Sequence, residues 1–210
     1  MKKESTPESF LSDNDNILGE LVNIFGECPL CQQQSEPFDS LTSAIISQQL
    51  SSSASVGIST KIQSLHGKRP FNAAQFIKLN DKQLSNCGLS KNKIKSIKGI
   101  AEACIREEIT KAVFESLNDE AVVEKITGYY GVGKWTAEIF MMFCLQRTDM
   151  IAFGDAGLKR AHKLLYPNSE NLQQTAEMWR PYRAIAAWYL WKFIDNTDCH
   201  DKVLKKFVNS

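Results

Sequence analysis

The chain has 210 residues, 43% hydrophobic and 23% charged, with a formal net charge of +1, enough for a sizeable buried core in one large domain or two small lobes. The near-neutral total conceals an asymmetry: residues 1–36 carry two Lys against seven Asp or Glu, which leaves +6 on residues 37–210, a mildly basic body that suits a polyanion without demanding one. No apolar run reaches the length of a membrane span, the start MKKESTPESF lacks the apolar stretch of a signal peptide, and six cysteines with one C-x2-C pair, Cys28 and Cys31, argue for reduced thiols over a disulfide or zinc framework.

Those features predict a soluble intracellular protein that does not touch membranes. Residues 1–14 are polar and expected to fray, with the folded domain spanning 15–210. From Asp15, a capping residue, Ile17, Leu18, Leu21, Ile24 and Phe25 form a helical stripe. Phe38, Leu41, Thr42, Ile45 and Ile46 form a second, and after QQLSSS a third follows with Ala54, Ile58, Ile62 and Leu65. Further helices are predicted near 73–78, 81–87, 91–106, 119–127, 135–146, 156–165, 171–193 and 199–207. Strand alternation is absent, so short helices joined by brief Gly or Asn connections predict an all-α fold.

The stretch ITGYYGVGKWTAEIF, residues 126–140, stands out. Gly128, Gly133 and Lys134 have the spacing of a nucleotide P-loop, but Trp135 stands where a magnesium-holding Ser or Thr belongs. A dinucleotide fingerprint fails too, because its third glycine would fall on Thr136 and the preceding DEAVVEKI does not alternate like a strand. What remains is helix, Gly131-Val132-Gly133, helix. The unpaired backbone N–H groups at the start of the second helix favour an anion, and glycines let it approach. A phosphodiester suits such a site; a tight helix–helix corner would use the same residues.

Four blocks in order extend the pattern: FDSLTSAIISQQLS from 38, LSNCGLSKNKIKSI from 84, ITGYYGVGKWTAEIF from 126, and MIAFGDAGLKRA from 150 continuing to WRPYRAIAAWYLWKF from 179. Over roughly residues 38–193 they resemble the helix-hairpin-helix DNA glycosylase superfamily, and within it the alkylation-type DNA-3-methyladenine glycosylases. The resemblance implies a bilobal all-α fold with a DNA and base cleft between two helical lobes. It implies a monomeric base excision repair enzyme that acts on double-stranded DNA containing damaged bases. Such an enzyme flips out alkylated purines, hydrolyses the N-glycosidic bond and leaves an abasic site. Two alternatives stay open: a glycosylase for deaminated, mismatched or oxidised bases, and a non-catalytic helix-hairpin-helix protein that binds damaged DNA.

The resemblance also carries residue roles. In the hairpin, the backbone N–H groups of Gly131, Gly133 and Thr136 would hold a DNA phosphate with Lys134 beside them, and the carbonyls of Thr127, Tyr129 and Val132 would hold a monovalent cation. Such contacts position DNA without reading its sequence. Gln49, with Leu50 beside it, matches the side chain that fills the hole left by the extruded nucleotide. Trp135 and Trp191 match base-pocket positions, with Trp188 and Tyr189 as neighbours; electron-rich rings suit positively charged alkylpurines. Asp155 in FGDAGLKRA matches the catalytic acid that stabilises an oxocarbenium-like sugar, and it also reads as an ordinary helix cap. The chain departs from the pattern at Ala152 and Gly154, where Pro and a second acid are common, and at Ile139 and Lys192, where some relatives have an aromatic. Trp135 replaces the lysine of strand-cutting members. Cys199 alone stands where iron–sulfur members have four cysteines, so no cluster and no required cofactor are expected.

Overall fold

The computed structural model describes residues 6–32, 35–67 and 69–207. Its α-helices run in chain order α1 (Pro7–Asn14), α2 (Asn16–Phe25), α3 (Pro37–Ser47), α4 (Ser52–His66), α5 (Ala73–Phe76), α6 (Asp81–Asn86) and α7 (Lys91–Ile105). They continue as α8 (Lys111–Glu115), α9 (Asp119–Thr127), α10 (Lys134–Phe143), α11 (Ala156–Leu165), α12 (Leu172–Ala176), α13 (Arg183–Asp195) and α14 (His200–Phe207). Short 3-10 turns lie at Pro29–Cys31, Glu177–Trp179 and Thr197–Cys199, and no strand occurs among the described residues, so the all-α prediction stands. No helix among them is long and apolar enough to cross a membrane. The helices cluster into two compact units, one of residues 34–146 and the other of 1–33 with 147–210.

In the unit of residues 34–146, α3 is buried nearly all round, with Phe38, Leu41, Ala44, Ile45 and Ile46 joined by Ser40 and Thr42. A helix of that kind has to be central. It packs against α4, α7 and α10. Helix α7 contributes Ile94, Ile97 and Ile100, three apart and buried on one face, and Phe140 of α10 meets the edge of Phe114 with ring centroids 5.2 Å apart. Helix α8, which carries Phe114, has no counterpart in the sequence reading because five residues make too short a period to detect.

The other unit is organised by a buried carboxylate. Asp15 caps α2 through Oδ1, which accepts from the Ile17 and Leu18 amides at 2.9 and 3.1 Å. Its Oδ2 accepts from the Tyr166 hydroxyl at 2.7 Å and from the Trp179 indole at 2.8 Å. A charge removed from water is tolerated only when donors satisfy it in this way.

Two sequence expectations need correction here. Residues 7–14 are not frayed: Thr6 accepts from the Ser9 amide, Pro7 opens the helix, Leu11 is fully buried, and the Phe10 ring meets the edge of Tyr182 at 5.4 Å. One buried leucine and one aromatic contact anchor a segment whose composition is polar; residues 1–5 lie outside the described residues. Residues 171–193 are not one helix. The chain breaks between α12 and α13 around Pro181, which has no amide to donate and whose ring clashes with the carbonyl four residues back in a continuous helix.

Candidate nucleic-acid interface and active site

The hairpin forms as the glycines suggest. After α9, Tyr129 N–H donates to Ile126 and Val132 N–H donates to Tyr129, both at 3.2 Å, and Gly131 turns the chain at φ +75°. A Cβ at Gly131 would lie 2.8 Å from Ser96 Oγ, so that position needs glycine for conformation and for space alike. Gly133 differs. Its backbone is extended and a Cβ there would meet nothing within 4 Å. The first intrahelical bond of α10 comes from the Ala137 amide to the Gly133 carbonyl at 3.1 Å, so the amides from Gly133 to Thr136 stand ahead of the helix's own hydrogen bonds, at the positive end of its dipole. The Lys134 side chain is largely exposed and reaches Glu138 only at 3.9 Å.

The turn after α3 lies in the same unit. Gln49 is exposed and holds φ +56°, a left-handed conformation unusual for a residue with a side chain. Leu50 beside it is 40% exposed. The preceding Gln48 faces the hairpin instead: its Nε2 donates to the Gly131 carbonyl at 3.0 Å and to Thr136 Oγ1 at 2.9 Å. The Thr136 side chain is therefore buried in a structural contact, and only its backbone amide is a candidate for DNA. Sequence alone offered two adjacent glutamines with nothing to separate their roles. Trp135 is half-buried at the start of α10.

In the other unit, a tight loop, with Asp155 N–H donating to Ala152 at 2.9 Å, delivers Asp155 to the N-cap of α11. Ile151 and Ala152 are buried beneath it. Asp155 Oδ1 accepts from the Leu158 amide at 2.8 Å and from Trp191 Nε1 at 3.0 Å. A half-buried acid and a half-buried indole are thus brought together from helices 36 residues apart. Gly157 makes room for them, since a Cβ there would sit 3.1 Å from Asp155 Oδ1 and 3.4 Å from Trp191 Cδ1. Sequence reasoning missed Gly157, whose only signal was its place in the first turn after Asp155. Asp149, the acid just before this block, is bound to Arg180 at 3.1 Å and Arg183 at 2.7 Å, a structural role.

The aromatic set splits. Trp188, one turn before Trp191, is half-buried and carries the Lys192 ammonium 5.2 Å from its ring centre. Tyr189 is a correction: it is fully buried, its hydroxyl donates to the Gly26 carbonyl at 2.7 Å, and burial pushes its pKa up. Its ring cannot stack on an incoming base. A step of one residue rotates a side chain about 100° round a helix, which takes Tyr189 off the face of Trp188 and Trp191 and into the core.

Cys28, Cys87 and Cys144 are buried, with Cys144 pushed up to about 12 by desolvation, and no cluster of His, Cys, Asp or Glu among the described residues could hold a metal. The Cys31 side chain lies outside the described residues.

Comparison with known proteins places the chain in a family of base excision DNA repair proteins. Residues 42–183 match the model of the HhH-GPD superfamily base excision DNA repair protein family. The chain is similar to DNA-3-methyladenine glycosylase 1 of Schizosaccharomyces pombe, 34% identical over 194 residues that cover 88% of this chain and 85% of the relative. It is also similar to the alkylbase DNA glycosidase-like protein mag2 of the same yeast, 32% identical over 88% of this chain and 91% of that protein. Among solved structures it resembles the S. pombe 3-methyladenine DNA glycosylase Mag1 in complex with abasic DNA, with a TM-score of 0.78, 30% identity, and coverage of 91% of this chain and 98% of that one.

Proposed function

The chain belongs to the HhH-GPD superfamily of base excision DNA repair proteins, and from that premise we propose that it is a monofunctional DNA-3-methyladenine glycosylase. It would extrude alkylated purines from double-stranded DNA and hydrolyse their N-glycosidic bond, leaving an abasic site, wherever the cell keeps its DNA. The observation that carries this reading is the Asp155 carboxylate, with two donors converging on Oδ1 at the start of α11.

In this reading the hairpin amides of Gly131, Gly133 and Thr136, with Lys134, grip a phosphate. The open space at Gly133 supports that role, because the fold itself does not require glycine there. The carbonyls of Thr127, Tyr129 and Val132 are hard oxygen donors that suit a monovalent cation; Tyr129 already accepts from Val132 and would offer its second lone pair. Gln49, with Leu50, enters the stack as the nucleotide leaves, which offsets an unstacking cost of about a few kcal/mol. Trp188 and Trp191 supply ring faces for a cationic purine, for which each favourable contact contributes up to about 2 kcal/mol when desolvated.

As the glycosidic bond lengthens, positive charge develops on the sugar. Asp155 opposes it electrostatically and orients the water that completes hydrolysis. Trp191 holds that carboxylate in one orientation. With Trp135 where strand-cutting relatives have an amine, the abasic product would leave intact and the strand would break only after alkali or heat. Incubation with dimethyl-sulfate-treated DNA, followed by chromatography of the released bases, tests the reading. Free methylated purines are expected from the parent protein, whereas tight abasic-DNA binding without base release would identify a non-catalytic binder.

A further inference from the structure

Neither the insertion turn nor the hairpin is self-supporting. At the end of α3 the Ala44 and Ile45 carbonyls accept from the Gln48 amide and the Ser47 carbonyl accepts from the Leu50 amide. The Ile46 carbonyl receives Lys93 Nζ at 2.7 Å, and the same ammonium donates to the Gln48 carbonyl at 2.8 Å. Lys93 therefore clamps the backbone on either side of Ser47, immediately before Gln49 at φ +56°. A residue with a side chain keeps that conformation only where its surroundings hold it.

Lys93 sits in α7, 47 and 45 residues from the carbonyls it binds. Burial lowers its pKa, and carbonyl dipoles at a helix C-terminus, where a cation is favoured, compensate for that desolvation. Ser96 lies three residues on, and so beside it along α7. Its hydroxyl donates to the Tyr130 carbonyl in the hairpin at 2.7 Å. Gln48 closes the circuit with its bonds to Gly131 and Thr136. One helix thus holds both loops that would meet DNA, and a side chain of the first loop ties it to the second.

We propose that Lys93 is a positioning residue that sets the Gln48–Leu50 turn in register with the phosphate-binding hairpin, so that DNA held by the hairpin receives Gln49 at the adjacent base step. This rests on the insertion role of Gln49 given above. Lys93 contributes to opening the helix and not to cleaving the bond.

The test needs no lesion chemistry. The probe is a duplex with a tetrahydrofuran abasic site flanked by 2-aminopurine, whose fluorescence rises when an inserted side chain unstacks it. Affinity is measured in parallel, and circular dichroism reports folding. Lys93→Met should bind within about threefold of the parent yet lose most of the fluorescence rise, as Gln49→Ala should. Should Lys93→Met fail to fold, Lys93→Gln, whose polar side chain is one bond shorter and uncharged, carries the same measurement and should show a partial loss. A parent-like rise in a folded Lys93 variant while Gln49→Ala loses its signal overturns the positioning role alone. An affinity loss in step with the signal also overturns it, by making Lys93 a general support. A parent-like rise in Gln49→Ala removes the insertion reading, and the positioning role with it.

Discussion

Trp191 donates its indole N–H to the oxygen of Asp155 that also caps α11, at 3.0 Å beside the 2.8 Å bond from the Leu158 amide. One carboxylate oxygen therefore couples a structural task to an orienting one. The two can be separated by substitution. Asp155→Asn keeps a capping oxygen, and Asn caps about as well as Asp, so melting should change by less than about 1 kcal/mol. On the proposed role of Asp155, which is to oppose the oxocarbenium ion, base release should fall roughly 10²-fold or more, at about 1.4 kcal/mol per tenfold. Trp191→Phe keeps a ring and deletes the donor, and hydrogen bonds to charged groups contribute about 1.5–3 kcal/mol, so a loss of roughly tenfold in single-turnover base release is expected. Parent activity in a folded Asp155→Asn protein would take Asp155 out of the mechanism.

Gly157→Ala offers a subtler probe of the same pair. Alanine is the better helix former by up to about 1 kcal/mol, a gain that pressure on the Asp155 cap offsets, so stability should stay within about 1 kcal/mol of the parent. Its Cβ would press on Asp155 Oδ1 from 3.1 Å and on Trp191 from 3.4 Å, and base release should drop several-fold while abasic-DNA affinity stays near the parent. Melting and single-turnover rates measured together decide it. Unchanged rates would mean that the pair tolerates displacement.

The two hairpin glycines should respond differently. Gly131→Ala imposes a left-handed conformation that costs about 1–2 kcal/mol and a clash with Ser96 Oγ, so both stability and DNA affinity should fall. Gly133→Ala meets open space at a negative φ, and should leave melting unchanged while weakening binding to any sequence, lesion or not. Titrations at several salt concentrations should show the steep dependence of phosphate-dominated binding. A Gly133→Ala protein that binds as tightly as the parent would mean no phosphate approaches there.

His162 makes stability pH-dependent. It is buried, its Nε2 pairs with Thr175 Oγ1 at 2.8 Å, and desolvation lowers its pKa. In the unfolded chain the ring takes up a proton near pH 6.5, while the folded state keeps it neutral to lower pH. Stability is therefore fully present above about pH 6.5 and falls as pH drops through that value toward the depressed folded pKa, by up to about 1.4 kcal/mol per pH unit from this group. Denaturant melts between pH 7 and 5 should show the decline, and His162→Gln should flatten it. An unchanged slope in the variant would assign the decline to other groups.

Sequence alone carried what depends on neighbours a few residues apart. The helix starts at Asp15 and Asp155, the glycine turn of the hairpin and the all-α class follow from caps, φ requirements and apolar periodicity, and each survives in the structure. What it could not carry are relations across long separations or choices between equally apolar faces. Helix α13 is apolar almost all round, so its sequence cannot say that Tyr189 enters the core while Trp188 and Trp191 stay half-exposed; packing against α2 and α11 decides that. The ties of Gln48 to the hairpin, of Lys93 to the end of α3 and of Trp191 to Asp155 span between 36 and 88 residues. No local propensity encodes such a bond. It exists only once tertiary packing brings a donor to a carbonyl or carboxylate that the helices themselves leave unfilled.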